Sequence, residues 1–424
     1  MKILVVGSGG REHAIVHALA RSPQRPELLC APGNPGIRQL ARSVADSQDV
    51  DVIVAAAKAE SVDLVVVGPE APLVAGLVDA LAAEGIAAIA SSAAAARLEG
   101  SKTYAKEIML AAGVPTAGHA VVTTVADGLA AVTTYPTVIK FDGLAAGKGV
   151  VIATTEDEAR AALVDMLETR VFGDGEVFVE DFLDGEEVSL LALCDGERAL
   201  ALAPARDFKR ALDGDEGPNT GGMGAFSPVP GVDPATLTDL SAVVHQPIVD
   251  ELARRGTPFH GVLYAGLMLT SQGPRVLEYN TRFGDPETQV VLPRLTSDLV
   301  DLMERASRAG GLEGATLDVD PRPAVTVVLA SAGYPASASK GDVITGVETA
   351  DEPTDTIVFQ AGTAGGEHPG APLVTAGGRV LAVTALGDTL AAAREAAYAG
   401  ADAIAFDGRQ LRGDIAAAAS HQAG

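Results

Sequence analysis

The chain has 424 residues, and at roughly 150 residues per domain that length points to about three domains rather than one compact module. Apolar residues make up 47% and charged residues 21%, a balance that excludes an intrinsically disordered chain. The formal net charge of -25 repels phosphate backbones and anionic lipid heads, so no nucleic acid and no membrane are expected as partners.

The opening apolar run Ile3-Leu4-Val5-Val6 is too short for a secretory signal and runs into a glycine turn, so a cytoplasmic protein is expected. Up to about residue 100, short apolar runs (Ile3 to Val6, Glu27 to Cys30, Leu64 to Val67, Ile86 to Ile89) alternate with helical stretches such as Arg11 to Arg21 and Pro72 to Ala83. That alternation predicts a doubly wound parallel sheet. From Ser101 a helix carrying Lys102 and Lys106 leads into strands at Thr137 to Lys140, Val150 to Ala153, Val177 to Asp181 and Val188 to Leu193, an α+β unit. Strands at Gly261 to Leu269 and Val276 to Tyr279 precede a helix from about Pro286 to Arg308. The uncharged stretch Gly256 to Pro274 is broken by Pro258 and His260 and does not read as a membrane span. Glycines and prolines from Gly310 to Pro323 mark a boundary. Beyond it Ala324 to Ser331, Thr356 to Gln360 and Arg379 to Thr384 read as strands and Asp388 to Gly400 as a helix. The two cysteines, Cys30 and Cys194, lie far apart and read as packing residues.

Gly7-Ser8-Gly9-Gly10-Arg11-Glu12-His13 follows the first strand and opens a helix, where backbone N–H groups and the helix dipole hold an anion. Glu12 stands where a dinucleotide fingerprint has its third glycine, and the second strand ends without a ribose-binding carboxylate, so a dehydrogenase is disfavoured. The planar fork of Arg11 suits a phosphate. A tight turn with a solvated arginine is the alternative. His13 and His17 lie one helical turn apart but lack a third metal ligand, and read as packing or solvated histidines.

Lys140 to Val150 has three residues between Gly143 and Gly147-Lys148, one fewer than a P-loop. A glycine hairpin of this kind can close over a triphosphate as a lid, or be a plain hairpin. In Glu180 to Ser189 a strand ends and turns, exposing backbone groups that can read an adenine edge and carboxylates that can hold ribose; a solvated turn is the alternative. Glu278 and Asn280 fall on one face of a strand, two oxygen ligands of the kind Mg2+ takes beside nucleotide phosphates. Arg282, Asp285 and Glu287 follow at the turn, and the run Gly217 to Gly224 offers backbone to a small polar substrate.

Together these segments resemble the phosphoribosylamine-glycine ligase family, also called glycinamide ribonucleotide synthetases, ATP-grasp enzymes of purine biosynthesis. The carriers are Gly7 to His13, Gly33-Asn-Pro-Gly36, Gly68-Pro-Glu70, Glu99-Gly-Ser-Lys102, Asp142 to Gly149, Gly217-Pro-Asn-Thr-Gly-Gly-Met-Gly224 and Arg282-Phe-Gly-Asp-Pro-Glu287. The resemblance implies an N-terminal phosphoribosylamine-binding domain (1–101), an ATP-grasp domain (102–322) with a lid at about 119–190, and a C-terminal domain (323–424). It implies ATP with Mg2+ or Mn2+, glycine and 5-phospho-D-ribosylamine as small-molecule substrates, and a monomer. Lys102, Lys140, Gly147, Lys148, Gly149, Glu180, Leu183 and Glu187 fall at nucleotide positions; Glu278 and Asn280 at metal positions. Gly9, Gly10, Arg11, Glu12, Asn34, Pro69, Glu70, Asp207, Lys209, Asn219, Thr220, Gly221 and Arg282 fall at substrate positions, with Arg282 and Asp285 as the catalytic pair. The chain has Ala90-Ser91-Ser92-Ala93 where the family usually reads Gly-Pro-Ser/Thr-Lys, and Phe208 where it usually has His. Altered contacts at Ala93 and Phe208 are therefore implied, with the chemistry retained.

Other readings share part of this pattern. Another ATP-grasp ligase or a carboxylase of purine biosynthesis would share the lysines and Glu278/Asn280 but not the Gly217 to Gly224 run joined to Arg282 to Glu287. A non-catalytic nucleotide-binding regulator would be expected to lack the metal ligands or the lid lysines.

Overall fold

The computed structural model describes residues 1–143, 149–352, 354–366 and 371–422. The expected lid contacts at Gly147 and Lys148 lie outside them. Among the described residues, a five-stranded parallel sheet opens the chain in the order Arg42–Ser43, Glu27–Pro32, Lys2–Gly7, Leu64–Val67 and Ala87–Ile89. Ile3 and Val5 pack with the helix Gly10–Ala20 on one face, while Leu4 and Val6 pack with Val50–Glu60 and Leu77–Ala83 on the other. Two-sided burial explains why the central strands read as unbroken apolar runs. The helix expected over Pro72 to Ala83 is two, Glu70–Val74 and Leu77–Ala83, because Gly76 between them takes a left-handed φ of 86°.

The middle of the chain builds two four-stranded antiparallel sheets. The first orders His119–Val122, Val177–Asp181, Thr137–Phe141 and Val150–Ala153, with Val125–Ala131 and Glu156–Leu167 packed on it. The second orders Ala199–Ala201, Glu186–Asp195, His260–Thr270 and Gly273–Asn280. The helix expected from Pro286 to Arg308 is also divided. Thr288–Arg294 ends before Thr296 and Ser297, whose N–H groups both turn to Asp318 O, and Asp298 caps a new helix, Leu299–Ala306, by accepting from Val300 N at 3.1 Å.

A third antiparallel sheet orders Arg206–Asp207, Gly224–Ser227, Ala324–Ala330, Arg379–Leu386 and Thr356–Gln360, with the helix Leu390–Ala403 against it. Two of its strands come from the middle of the chain, so the loop Gly217 to Gly224 runs straight into the C-terminal sheet. Both cysteines are buried free thiols, and among the described residues no helix is long and apolar enough to cross a membrane.

The N-terminal helix Gly10–Ala20 meets the C-terminal sheet through histidine. His13 Nδ1 accepts from Gln360 N at 2.8 Å, and His13 and His17 both stand edge-on to Phe359. Burial, with the charge of His17, pushes the His13 pKa down to about 3; burial, with Arg21, pushes that of His17 to about 4. Each pKa lies below the unfolded value of about 6.5, so as pH falls below that value the unfolded chain takes up protons that the folded chain refuses, and stability is lost. His13→Asn keeps an acceptor for Gln360 N and cannot be protonated. The melting temperature of the parent should therefore fall more steeply than that of the variant between about pH 7 and about pH 5. Equal slopes in a thermal-unfolding series would refute this account.

Candidate active site

The sheet that holds Val177–Asp181 is fastened to the strand Gly273–Asn280 around one buried carboxylate. Glu180, on Val177–Asp181, lies 3.1 Å from Lys106 Nζ and 2.7 Å from Lys140 Nζ. Lys106 also donates to Thr116 Oγ1 at 2.8 Å, which donates to Val276 O at 2.7 Å, and Lys140 Nζ donates to Leu277 O at 3.3 Å. Burial raises the Glu180 pKa, but the two ammonium groups outweigh it and hold the carboxyl below its ordinary range. Lys106 was not among the expected site residues. Its spacing from Lys102 was the available signal, since i and i+4 share a helix face.

Asp142, just past the strand Thr137–Phe141, ties that strand to the N-terminus of the helix Lys102–Ala111. It accepts from Lys102 N at 2.5 Å, Thr103 Oγ1 at 2.8 Å and Ser101 Oγ at 3.1 Å, a carboxylate set where the helix dipole favours it. Lys102 Nζ donates to Gly143 O at 3.2 Å, and burial lowers its pKa against the pull of Glu278 and Asp142. Gly149 O closes the hairpin by accepting from Phe141 N at 2.8 Å. The Glu180 carbonyl accepts from Thr137 Oγ1 at 3.1 Å, and half-buried Leu183 follows in the turn.

Glu278 and Asn280 share one face of Gly273–Asn280, as expected. Glu278 is exposed and makes no hydrogen bond or ion pair among the described residues, whereas Asn280 Oδ1 accepts from Arg282 Nη2 at 3.2 Å. No group of three or more His, Cys, Asp or Glu side chains could hold a metal among the described residues. A free carboxylate beside an amide oxygen fits a hard cation whose remaining ligands are phosphate oxygens and water.

Past Asn280, the turn Thr281 to Glu287 collects partners from every part of the chain. Glu99 Oε2 accepts from Thr281 N at 2.8 Å, and Glu99 Oε1 lies 2.9 Å from Arg282 Nη2; Glu70 Oε2 is 3.7 Å from Arg282 Nε. Glu99 is a second residue not expected at the site. Arg11 does not face outward as a free phosphate ligand. Its Nε is 2.6 Å from Glu12 Oε1 and its Nη1 donates to Phe283 O at 3.1 Å. Glu12 Oε2 accepts from Gly9 N at 2.5 Å, and the glycines at 7, 9 and 68 leave room for this carboxylate, which a Cβ at any of them would overlap. Asn34 is likewise turned inward, donating to Ser8 O at 2.9 Å and Gln360 O at 2.7 Å and accepting from Ile37 N. Pro69 precedes the helix that begins at Glu70.

Buried Glu287 lies across from Asp207. Ser189 Oγ is 3.2 Å from Glu287 Oε1, 3.4 Å from Asp207 Oδ1 and 3.0 Å from Tyr264 Oη. Lys209 Nζ lies 2.7 Å from Glu187 Oε2 and 3.6 Å from Asp207 Oδ1. Burial, reinforced by Glu287 and Glu187, pushes the Asp207 pKa up against the pull of Lys209. Ser189, Tyr264 and Glu287 thus join the expected pair Asp207 and Lys209. Phe208, between them on the chain, packs instead on Phe226 and under the Arg412 guanidinium, so its difference from the family is met by the core. Ala93 opens a helix capped by Ser92, and its N–H donates to Asp79 Oδ2 at 2.8 Å. Thr220 Oγ1 donates to Lys209 O at 2.8 Å, and Asn219 ends the strand Glu216–Asn219.

Two four-stranded antiparallel sheets, with Lys102, Lys106 and Lys140 between them and a Glu/Asn pair on the second, point to the ATP-grasp class of proteins. Three family descriptions match the chain: Phosphoribosylglycinamide synthetase, N domain at residues 1–99, ATP-grasp (A) domain at 100–288, and C domain at 324–418. Among curated relatives, the phosphoribosylamine–glycine ligase of Streptomyces coelicolor is 50% identical over 99% of this chain and 100% of its own length. That of Xanthomonas axonopodis pv. citri is 49% identical over 98% and 97%. The crystal structure of the Thermotoga maritima phosphoribosylamine–glycine ligase superposes with a TM-score of 0.83 at 34% identity, covering 98% of this chain and 100% of that one. A biotin carboxylase domain from Hydrogenobacter thermophilus, crystallised with MgADP and bicarbonate, shares the fold at a TM-score of 0.70 and 14% identity, over 97% and 91%. The chain belongs to the phosphoribosylamine–glycine ligase family and is an ATP-grasp ligase.

Glu180→Gln leaves two buried ammonium groups without their counter-charge, and breaking a buried pair in this way costs about 3–5 kcal/mol. Chemical denaturation followed by circular dichroism should show that loss; an unchanged midpoint would contradict it.

Proposed function

We propose that this enzyme joins glycine to 5-phospho-D-ribosylamine at the expense of ATP, forming glycinamide ribonucleotide, ADP and phosphate in purine biosynthesis. The observation that carries this reading is the turn Thr281 to Glu287. It runs directly from the strand bearing Glu278 and Asn280 and packs against the N-terminal glycine loop through Arg11 and Phe283 O. One short segment therefore links a phosphoryl-transfer strand to the domain that would bind the phosphoribosyl group.

In the first step a glycine carboxylate oxygen attacks the γ-phosphorus of ATP; the bond to the bridging oxygen breaks, leaving ADP and glycyl phosphate. The amine nitrogen of phosphoribosylamine then attacks the glycyl carbonyl carbon, the C–O bond to phosphate breaks, and the amine gives up a proton. No enzyme nucleophile is required. Lys102 and Lys140 neutralise the polyphosphate, with Glu180 and Leu183 beside the base and Glu187 at the ribose. The acidic pair Asp207 and Glu287, bridged by Ser189, suits the glycine ammonium. Arg282, anchored by Glu99, is placed for charge on the acyl phosphate. Asp285 has its pKa set by burial, which raises it, and by Arg379 and Arg11, which lower it further than burial raises it. A carboxylate held below its usual range is a poor proton acceptor and a good anchor for the acceptor substrate. Mg2+ or Mn2+, held by Glu278 and Asn280 with phosphate oxygens, would supply charge neutralisation at the transferring phosphoryl group.

The test is ADP and phosphate release from ATP and Mg2+ with freshly generated phosphoribosylamine, with and without glycine, and mass detection of the product. Glycine-dependent ADP and a phosphorylated glycinamide riboside are expected; ATP binding without product would overturn the substrate assignment. Glu278→Gln should lower turnover about 100-fold, since a metal's charge stabilisation is worth several kcal/mol and about 1.4 kcal/mol is tenfold. Near-parental turnover at ordinary Mg2+ would remove Glu278 from the metal site.

A further inference from the structure

The C-terminal sheet reaches the centre of the molecule through Arg379. Its Nη1 donates to Asp285 O at 2.9 Å, Gly222 O at 3.4 Å and, most closely, Gly221 O, while Nη2 pairs with Asp285 Oδ2 at 2.9 Å. Tyr334, from the same unit, accepts from Gly221 N at 3.0 Å. The glycines of this loop are needed by these neighbours. A Cβ at Gly221 would stand 3.0 Å from Arg379 Cζ, and one at Gly222, whose φ is 108°, would run into the Pro286 ring. The same carboxylate faces the opposite end of the molecule. Asp285 Oδ2 lies 3.7 Å from where a Cβ on Gly9 would be, and Oδ1 accepts from Gln289 Nε2 at 2.7 Å.

We propose that Arg379 is a positioning residue of the ligase, locking the loop Gly217 to Gly224 onto the turn 282–287 and aiming Asp285 at the N-terminal glycine loop, where the acceptor amine is delivered. This rests on the ligase reading above. Only a planar guanidinium can meet three carbonyls and a carboxylate at once, because a lysine offers a single point charge on a flexible stem. The C-terminal unit thereby sets the acceptor half of the site while touching neither Lys102, Lys140 nor Glu278 among its hydrogen bonds and ion pairs.

The experiment uses the full chain and separates the two half-reactions. ATP, glycine and phosphoribosylamine are varied in turn, and acyl-phosphate formation is read separately as glycine hydroxamate trapped by hydroxylamine without acceptor. Arg379→Met should lower kcat/KM for phosphoribosylamine about 100-fold, the cost of misplacing a substrate by about 1 Å, with the KM for ATP and hydroxamate formation as in the parent. Arg379→Lys, which restores the charge opposite Asp285 but not the carbonyl contacts, should recover part of the loss. Tyr334→Phe, which frees Gly221 N and leaves the ring, should show a smaller loss of the same selective kind. If the Met variant does not fold, the other two read the same split. An unchanged acceptor kcat/KM, or a loss spread equally over all three substrates and the hydroxamate reaction, would overturn the proposal. Failure of the parent itself to give hydroxamate or product would instead overturn the ligase reading, and the proposal with it.

Discussion

A carboxylate taken out of water must be met by cations and donors, and Asp285 is met by groups from separate stretches of chain. Arg379 pairs with it from the C-terminal sheet, Gln289 donates to it from the helix that follows, and Arg11 adds its field from the N-terminal domain. This single group thus joins residues from three separate stretches of the chain. The neighbouring turn repeats the pattern, with Glu99 on Thr281 and Arg282, Arg11 on Phe283 O and Ser189 on Glu287. Strand Gly273–Asn280 and its Glu/Asn pair are aligned by the same set of restraints.

The sheet that holds Thr137–Phe141 and Val177–Asp181 obeys the opposite logic. Glu180 is a buried anion whose cations, Lys106 and Lys140, sit on the helix below and the sheet itself. In a chain of net charge -25, three lysines, Lys102, Lys106 and Lys140, gather here around Glu180 and Asp142. With Asp142 clasping the helix end, the end of the strand Thr137–Phe141 is held against the helix Lys102–Ala111.

Much of this was legible in the residues. The N-terminal parallel sheet followed from apolar runs spaced by helices, and the strands from Thr137, Val150 and Val177 were placed to within a residue or two. Where elements differed, a local signal had been overridden: Gly76 ends one helix, and the pair of N–H groups drawn to Asp318 O, with the Asp298 cap, splits another. At the site, Glu278 and Asn280 on one strand face followed from the period of two. The inward turn of Arg11, Glu12 and Asn34 did not, because whether a polar side chain faces solvent or a buried partner depends on atoms brought from elsewhere in the chain.

By itself the sequence determined the order of elements, the segments that bear glycine, lysine and carboxylate chemistry, and membership of an ATP-grasp family. Those depend on periodicity and on residue types at short spacing, which are local. Only the tertiary structure decided that Lys106 shares a carboxylate with Lys140, that Phe208 belongs to the core, and that Gly221 and Gly222 make way for Arg379 and Pro286. Each of these is a contact between residues far apart along the chain, chosen by the need to satisfy buried charges and to leave no room unfilled, and neither need is written in any one segment.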